Sequence, residues 1–336
     1  MRHYSSGIFI GSKNYPFLSI GALTSEEQSI QDTPQDLRPL TIEEIIQRRQ
    51  ALTHAKVQQH VRAKHQLLEQ LQDVAKSKHA LESELTFLNT PSTLESFSKS
   101  LPHGKSLFLE RFELLQTPKV KRKIEQLTAD TDVGARTALQ ELQRYTDEHQ
   151  LTQLLSTGLL GRKRKIVPTK WSITAVDDTL STQQQEKILE TDTHEETYYS
   201  ATFLGNEFHI IIKPGVWSFE LIEITLPRTI YNPGEKTIIS KDHEYHHKRK
   251  KYVSETAGAY YAAKLAILEH VKKQGRVIVL RKITPAYTTP LGVWVIREGV
   301  RKALQHPTEQ LSKEITPYLR ESKLFQEQQA QLKTYF

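Results

Sequence analysis

The chain has 336 residues, 37% of them apolar, and 46 Lys and Arg against 39 Asp and Glu give a formal net charge of +7. This apolar content supports a folded core and excludes a disordered tail protein, while a modest basic excess suits an anionic partner without proving one. Because the chain has no cysteine, disulfides, thiolate nucleophiles, cysteine-ligated zinc and iron–sulfur clusters are excluded.

The N-terminal half is predicted to be an extended leader followed by helices. Residues 1–40 contain several glycine and proline turn signals. Thr41 and Glu44 form a capping-box pattern, and apolar residues at helical spacing predict a long helix over 41–82. A second helical region is predicted over 106–155, with a break at Thr117-Pro118. These helices are expected to pack on the core, although a face that binds another protein is an open alternative.

Strand patterns are found only in the second half of the chain. Apolar or alternating residues predict strands at Glu207–Lys213, Trp217–Leu226 and Arg276–Ile283. Residues Ala257–Lys273 have an apolar stripe and predict a helix between the last two strands. The predicted fold class is therefore α+β, with a helical N-terminal half and a mixed sheet with packed helices in the second half.

A basic segment is the first candidate binding site. Four consecutive cations and two residues that follow them could contact phosphates and stack on a base: Arg162, Lys163, Arg164, Lys165, Lys170 and Trp171. The alternative is a solvated basic turn before a buried strand. Two further basic clusters, Lys119–Lys123 and Lys248–Lys251, add to the case for DNA as a partner.

Paired carboxylates offer a catalytic alternative. A metal-dependent nuclease holding Mg²⁺ or Mn²⁺ needs carboxylates that converge from different segments, and the candidates are Asp177 or Asp178 with Glu220 or Glu223. On a strand, Asp177 and Asp178 would point to opposite sides, so one of them would line such a site. Helix caps and surface charges are the other explanation for these residues, and whether the protein is an enzyme stays open.

Histidines near residue 245 suggest a metal only weakly. His243 and His246 are three residues apart, which suits one helical face, and His247 follows. No further ligand stands at a spacing typical of zinc, so an exposed polar loop is expected and no metal is predicted. The chain also lacks phosphate-binding glycine loops and nucleophile elbows, and no cofactor is predicted.

The last eight residues have the pattern of a docking motif. Gln329, Leu332, Tyr335 and Phe336 are spaced so that one helical turn would place the last three on one side. This pattern resembles the motif that binds the sliding clamp (PCNA) by inserting a short helix into an apolar groove. A terminal helix that folds back on its own core is the alternative.

Many ordered motifs together resemble the archaeal Nre family of DNA repair proteins, along essentially the whole chain. The N-terminal part of the resemblance consists of Phe9-Ile10-Gly11, Tyr15-Pro16, Ile20-Gly21, Asp32-Thr33-Pro34 and Arg48-Arg49. The central and C-terminal parts consist of Asp130-Thr131-Asp132, residues 155–161, Arg164 through Asp178, Ala257–Ala263, residues 290–294, Arg297-Glu298 and the tail.

The resemblance implies a role in the response to DNA damage together with the sliding clamp, and it supplies no reaction. It implies an Nre N-terminal-like region over 1–220, an Nre C-terminal-like region over 221–325 and a clamp-binding tail over 326–336. Two departures matter. Members often begin with a four-cysteine zinc finger, which a chain without cysteine is not expected to form, and Lys170 stands where the family usually has Arg.

No segment is predicted to enter a membrane. The longest apolar runs are far shorter than the roughly 18 residues of a membrane span. The apolar stretch near the N-terminus is too short for a signal-peptide core, and no small-residue cleavage site follows it. We therefore expect a cytoplasmic protein.

Overall fold

Strands and helices occur in both halves of the chain, so the α+β class is confirmed. The computed structural model describes residues 2–64, 66–88, 104–247, 249 and 251–327. The chain divides into two units, Met1–Leu180 and Ser181–Phe336, each with its own core.

Five strands close into a barrel in the first unit, in the order β1-β2-β3-β5-β4. They are β1 (Arg2–Ile10), β2 (Phe17–Ser25), β3 (Thr53–His60), β4 (Leu81–Phe87) and β5 (Ser106–Leu114). β3 and β5 pair in parallel, and the other neighbours pair antiparallel. Inward residues such as Ile10, Leu18, Ile20, Ala22 and Ala55 are buried and fill the barrel.

Seven helices accompany the barrel strands among the residues described. They are α1 (Pro34–Leu37), α2 (Ile42–Gln50), α3 (Gln66–Lys76), α4 (Arg122–Ala129), α5 (Ala135–Leu142), α6 (Glu148–Ser156) and α7 (Thr169–Ile188). α3 connects β3 to β4 and packs against β1 and α6. Its apolar residues Leu71, Val74 and Ala75 are buried.

The prediction of one continuous helix over 41–82 is wrong, because α2 and α3 are separated by a strand. The capping box at Thr41 and Glu44 does form, and it starts α2. Residues 53–60 then form β3, in which buried Ala55 lies between two partly exposed polar residues. This strand pairs with β2 along its whole length, so backbone hydrogen bonding within the barrel overrides the helical spacing of the apolar residues.

The expectation of a helical N-terminal half is also wrong, because the whole barrel lies there. Residues 106–114, predicted as helix, form β5, and residues 2–25, predicted as turn-rich leader, form β1 and β2. β1 and β2 contain several glycine, serine and alanine residues, which fit a narrow barrel but give a weak strand pattern. Helices begin only at α4 in the second predicted region.

A mixed sheet of six strands forms the second unit, in the order β11-β6-β7-β10-β8-β9. The strands are β6 (Thr197–Phe203), β7 (Asn206–Lys213), β8 (Ser218–Thr225), β9 (Ile238–Glu244), β10 (Arg276–Ile283) and β11 (Pro307–Thr308). β8 and β10 run parallel and the other neighbours antiparallel. The predicted strands β7, β8 and β10 are confirmed.

Both faces of this sheet are covered. α8 (Gly258–His270), which confirms the predicted helix, and α9 (Trp294–Ala303) pack on one face. On the other face, Ile315, Leu319 and Leu324 from the region around α10 (Thr316–Leu319) bury the apolar side chains of β7, β8 and β10. Within the described residues, no helix combines the length and the apolar character needed to cross a membrane.

Candidate nucleic-acid interface

Three segments of the first unit are joined by hydrogen bonds at one end of the barrel. The Val61 amide, just after β3, donates to the Pro16 carbonyl in the β1–β2 loop at 3.0 Å. The Ile166 amide, just after the basic run, donates to the Val61 carbonyl at 2.9 Å. The Ile10 amide at the end of β1 donates to Thr169 Oγ1 at the start of α7, also at 2.9 Å. The β1–β2 loop, the end of β3 and the basic segment therefore lie together.

The two arginines of the basic run hold a neighbouring loop in place. Arg162 Nε donates to the carbonyl of Asp132 at 2.7 Å, and an Arg164 Nη donates to the carbonyl of Asp130 at 2.7 Å. Lys163 and Lys165 are exposed. The lysines are thus the members of the run whose ammonium groups can reach a phosphate without breaking these hydrogen bonds.

Lys170 and Trp171 lie in the first turn of α7 and are both exposed. The Trp171 ring remains 46% exposed and lies beside the ring of Tyr15, which is 50% exposed, with 5.6 Å between centroids. The buried strand expected after the basic run is wrong, because Pro168 and the residues after it begin a 20-residue helix. This turn presents a cation and an aromatic ring side by side.

Sequence reasoning missed the aromatic residues that the barrel brings to this end. Tyr15 is in the β1–β2 loop, and Phe17 begins β2, where its ring makes an edge contact with His60 at 5.2 Å between centroids. Their positions relative to Trp171 depend on strand pairing. The sequence did contain one signal for this surface. Residues 2–25 include the aromatic residues at positions 9, 15 and 17, which the structure exposes, and contain no Asp or Glu.

Three segments that meet near this end of the barrel are basic, although the exposed residues Asp130 and Asp132 lie beside the arginines of the basic run. Residues 11–25, 53–68 and 157–176 contain nine Lys and Arg and no Asp or Glu, in a chain with 39 acidic residues. The carboxylates on the barrel are instead on β4 and the second half of β5, at Glu82, Glu84, Glu110 and Glu113. This end of the barrel is therefore suited to a polyanion.

Asp177 and Asp178 lie on α7, so the strand considered for them is wrong. Neighbours on a helix point about 100° apart rather than to opposite sides. Asp177 is fully buried, and Asp178 is half-buried. Both belong to the first unit.

Glu220 and Glu223 lie on opposite faces of the second unit's sheet, because they are three residues apart on β8. Glu220 accepts hydrogen bonds from Ser322 Oγ at 2.6 Å and from the amides of Lys323 and Leu324 at 3.1 and 3.2 Å. Glu223 pairs with Arg281 on the neighbouring strand β10 at 2.5 Å. Two carboxylates on opposite faces cannot bind one metal ion together, and each of these already binds groups of the protein.

The histidines do not share a helical face. His243 is in β9, opposite Glu220, and His246 and His247 follow in a turn. Burial lowers the pKa of His243, which favours its neutral form. Among the residues described, no group of three or more His, Asp and Glu is placed to hold a metal.

The two other basic clusters have partners within the protein. Lys121 Nζ donates to the Tyr145 carbonyl, and Lys123 pairs with Glu141. In the cluster after the histidines, Arg249 donates to the His243 carbonyl at 2.6 Å. Lys248 and Lys250 lie outside the described residues.

The proposed clamp motif also lies outside the described residues, which end at 327. A helical segment over 323–327 precedes it and is held to β8 by the Glu220 hydrogen bonds. The assignment of Gln329, Leu332, Tyr335 and Phe336 therefore rests on the sequence alone.

Two family models match nearly the whole chain. The model described as Archaeal Nre, N-terminal, matches residues 3–232, and the model described as Archaeal Nre, C-terminal, matches residues 244–334. The chain belongs to the archaeal Nre family. The resemblance drawn from the ordered motifs is thereby confirmed, and the Nre N-terminal match includes the barrel, the basic run and Trp171.

Three proteins of the Nre family show how far the similarity extends. DNA repair protein NreA of Haloferax volcanii is 32% identical over 323 residues, covering 90% of this chain and 77% of its own. DNA repair proteins NreB and NreA of Archaeoglobus fulgidus are each 32% identical, covering 88% and 90% of this chain and 77% and 79% of their own. No solved structure matches the chain.

Proposed function

We propose that this Nre chain is a cytoplasmic DNA repair factor that binds DNA and is recruited to the sliding clamp (PCNA) through its C-terminal tail. The names of its relatives, all DNA repair proteins, support the repair role. The observation that carries the DNA-binding part is the barrel end, where exposed lysines and a tryptophan lie among segments without a carboxylate.

The tail supports the clamp-binding part through its spacing. Leu332, Tyr335 and Phe336 would form one apolar side of a short helix, and Gln329 would remain free for a polar contact. A clamp that encircles DNA raises the local concentration of any protein it holds, to about millimolar for a short linker. A body with modest affinity for DNA is then sufficient.

Two binding assays, one with the clamp and one with DNA, test this proposal. In a pull-down with purified clamp, Leu332→Ala with Phe336→Ala should abolish capture, whereas Lys333→Ala with Thr334→Ala, between the anchors, should not. In a DNA mobility assay, Lys163→Gln with Lys165→Gln should weaken binding. It should also lower the slope of log affinity against log salt by roughly 0.7–0.9 for each phosphate that the variant no longer neutralises.

A matched charge change supplies the control for DNA binding. Lys119→Gln with Arg122→Gln removes the same two charges from another exposed basic cluster of the same unit and should change affinity little. Equal weakening by both pairs would point to net charge rather than to a site. Clamp capture that survives removal of the two anchors would refute the assignment of the tail.

A further inference from the structure

The barrel has the topology of a known nucleic-acid-binding architecture. Its closed order β1-β2-β3-β5-β4, the parallel β3–β5 pair and a helix between β3 and β4 are the arrangement of the oligonucleotide/oligosaccharide-binding (OB) barrel. Such barrels bind on the face of strands 2 and 3 and on the loops that connect strands 1–2 and 4–5. A topology does not establish a function, so the residues on that face must carry the inference.

Aromatic rings are exposed on the outer face of this barrel. Phe9 on β1, Phe17 on β2 and Phe108 on β5 are 37%, 57% and 40% exposed. Exposed sheet faces usually carry polar residues. Phe9 packs edge-on against His54, with 5.3 Å between centroids, and Lys56 Nζ lies 5.0 Å from the centre of the Phe108 ring.

Strand register aligns several of these side chains in one row. Phe9 pairs with Gly21, Gly21 pairs with Lys56, and Lys56 pairs with Phe108, so the row crosses four strands. A Cβ at Gly21 would lie 2.0 Å from the carbonyl oxygen of Ala55, and the row therefore has no side chain at that position. Gly21 itself is buried, so the side chains that the row presents are the exposed Phe9 on one side and the half-buried Lys56 and exposed Phe108 on the other.

The row continues toward the end of the barrel described above. Phe17 and His60 pair four residues farther along β2 and β3, next to the β1–β2 loop with Tyr15. Between them and the row, β2 and β3 place Ser19 opposite Gln58, which are uncharged. The face thus runs from Phe9 to Tyr15 and Trp171 without meeting an acidic side chain on β1, β2 or β3.

We propose that this outer face binds single-stranded DNA, with bases stacked on the exposed rings and phosphates held by the surrounding lysines and arginines. The proposal specifies the ligand of the DNA-binding surface and rests on the function proposed above. Stacking on a side chain needs the face of an unpaired base, and in a duplex those faces are covered by neighbouring base pairs. A sheet face with several rings therefore discriminates in favour of a single strand.

The test measures binding of the full chain to labelled oligo(dT) and to a duplex of equal length by fluorescence anisotropy at about 0.1 M salt. The protein should bind the single strand more tightly. Phe17→Ala and Tyr15→Ala should each weaken binding to the single strand roughly tenfold, as expected when one base is no longer stacked, and change duplex binding little. Phe17→Tyr should bind almost as well as the unmodified protein.

Three further measurements guard against misfolding and misassignment. Tyr145 is exposed to a similar extent in the same unit but lies beside the other basic cluster, so Tyr145→Ala should have no effect. Trp217 and Trp294 are buried, whereas Trp171 is exposed, so oligo(dT) should quench the emission of the unmodified protein but not of Trp171→Phe. Far-ultraviolet circular dichroism checks that each variant is folded.

The outcomes separate this inference from the proposed function. Equal binding of duplex and single strand, with silent Phe17→Ala and Tyr15→Ala variants, would overturn the inference and leave DNA binding in place. Binding to neither would overturn both. Tighter binding to oligo(U) than to oligo(dT) would assign the face to RNA, and weaker binding only in Tyr145→Ala would move the site to the Lys119–Lys123 cluster.

Discussion

Arg162 and Arg164 have a different role from the lysines beside them, although all four cations contribute the same charge. The arginines donate to the carbonyls of Asp130 and Asp132, whereas Lys163 and Lys165 are exposed. A planar guanidinium with several fixed donors suits carbonyl oxygens held at set positions, and a flexible ammonium suits a mobile polyanion. Changes at the arginines are therefore expected to alter the loop first, and changes at the lysines to alter DNA binding first.

Asp242 organises the segment before α8 and provides a prediction of pH dependence. It is buried and accepts hydrogen bonds from the amides of Ser254, Glu255 and Thr256 and from the Thr256 hydroxyl, at 2.8–3.3 Å. Burial alone would raise the pKa of Asp242, but these hydrogen bonds outweigh it and hold the pKa below its usual value. The ionised carboxylate therefore stabilises the folded protein.

Asp242→Asn should lower the free energy of unfolding by about 2 kcal/mol at neutral pH, because an amide group cannot accept all of these hydrogen bonds. A lowered pKa gives stability that is present above the unfolded value and is lost as the pH falls through the folded value. Urea unfolding at neutral pH and near pH 3 should therefore show the difference between the two proteins shrinking in acid. A difference that is the same at both pH values would contradict this account.

At the scale of elements, β8 holds the segment that leads into the tail. The Glu220 carboxylate caps the helical residues 323–327 by accepting from the first two amides and from Ser322. Glu220→Ala should destabilise this segment by about 1–3 kcal/mol, because it leaves buried donors without an acceptor. Hydrogen exchange of peptides covering residues 322–327 should become faster, while exchange of β7 and β10 changes little.

A neighbouring carboxylate provides the control for Glu220. Glu321 pairs with Lys241 in an exposed position, so Glu321→Ala should cost less than about 1 kcal/mol and leave exchange nearly unchanged. The same variants bear on the nuclease hypothesis. If Glu220 were catalytic, Glu220→Ala would abolish metal-dependent cleavage and Glu321→Ala would retain it, whereas cleavage that survives Glu220→Ala would exclude a catalytic Glu220.

The central strands of the second unit could be predicted from the sequence, whereas the strands of the barrel could not. β7, β8 and β10 are central strands with long apolar runs such as Ile210–Ile212, and burial on both faces makes such runs visible. β2 instead contains Gly21, where a Cβ would collide with the backbone of β3, and β3 contains Ala55, which is fully buried in the barrel. Their strand character comes from pairing with distant segments, which no local pattern records.

The candidate site was predictable in part for the same reason. The basic run with Lys170 and Trp171 is contiguous, and its composition identified it. Tyr15, Phe17 and His60 become its neighbours only through the hydrogen bonds that join the β1–β2 loop, the end of β3 and residue 166. The predicted nuclease carboxylates illustrate the opposite error, because Glu220 and Glu223 are close in sequence yet lie on opposite faces of a sheet.

For the whole molecule, the proposed DNA-binding face of the barrel and the proposed clamp-binding tail would be two binding sites on one chain, and their effects should multiply. A clamp loaded on circular DNA cannot slide off, so a chain bound by its tail would meet DNA at an effective concentration far above that in solution. Linked binding of this kind raises affinity by about 10²–10⁴-fold without any new contact. Full-length protein should therefore remain on clamp-loaded circular DNA at salt concentrations that remove it from DNA without the clamp.

The coupling is separated from either binding site alone by comparing the full-length protein, a chain truncated before the tail motif and Phe17→Ala. Each protein is tested on circular and on linear DNA. The chain lacking residues 329–336 should bind naked DNA as tightly as the full-length protein but gain nothing from the loaded clamp. Phe17→Ala should keep clamp capture and lose retention at high salt. Linearising the circle lets the clamp slide off and should abolish the gain for every variant. Retention of the truncated chain on clamp-loaded circles at the level of the full-length protein would contradict tethering through the tail.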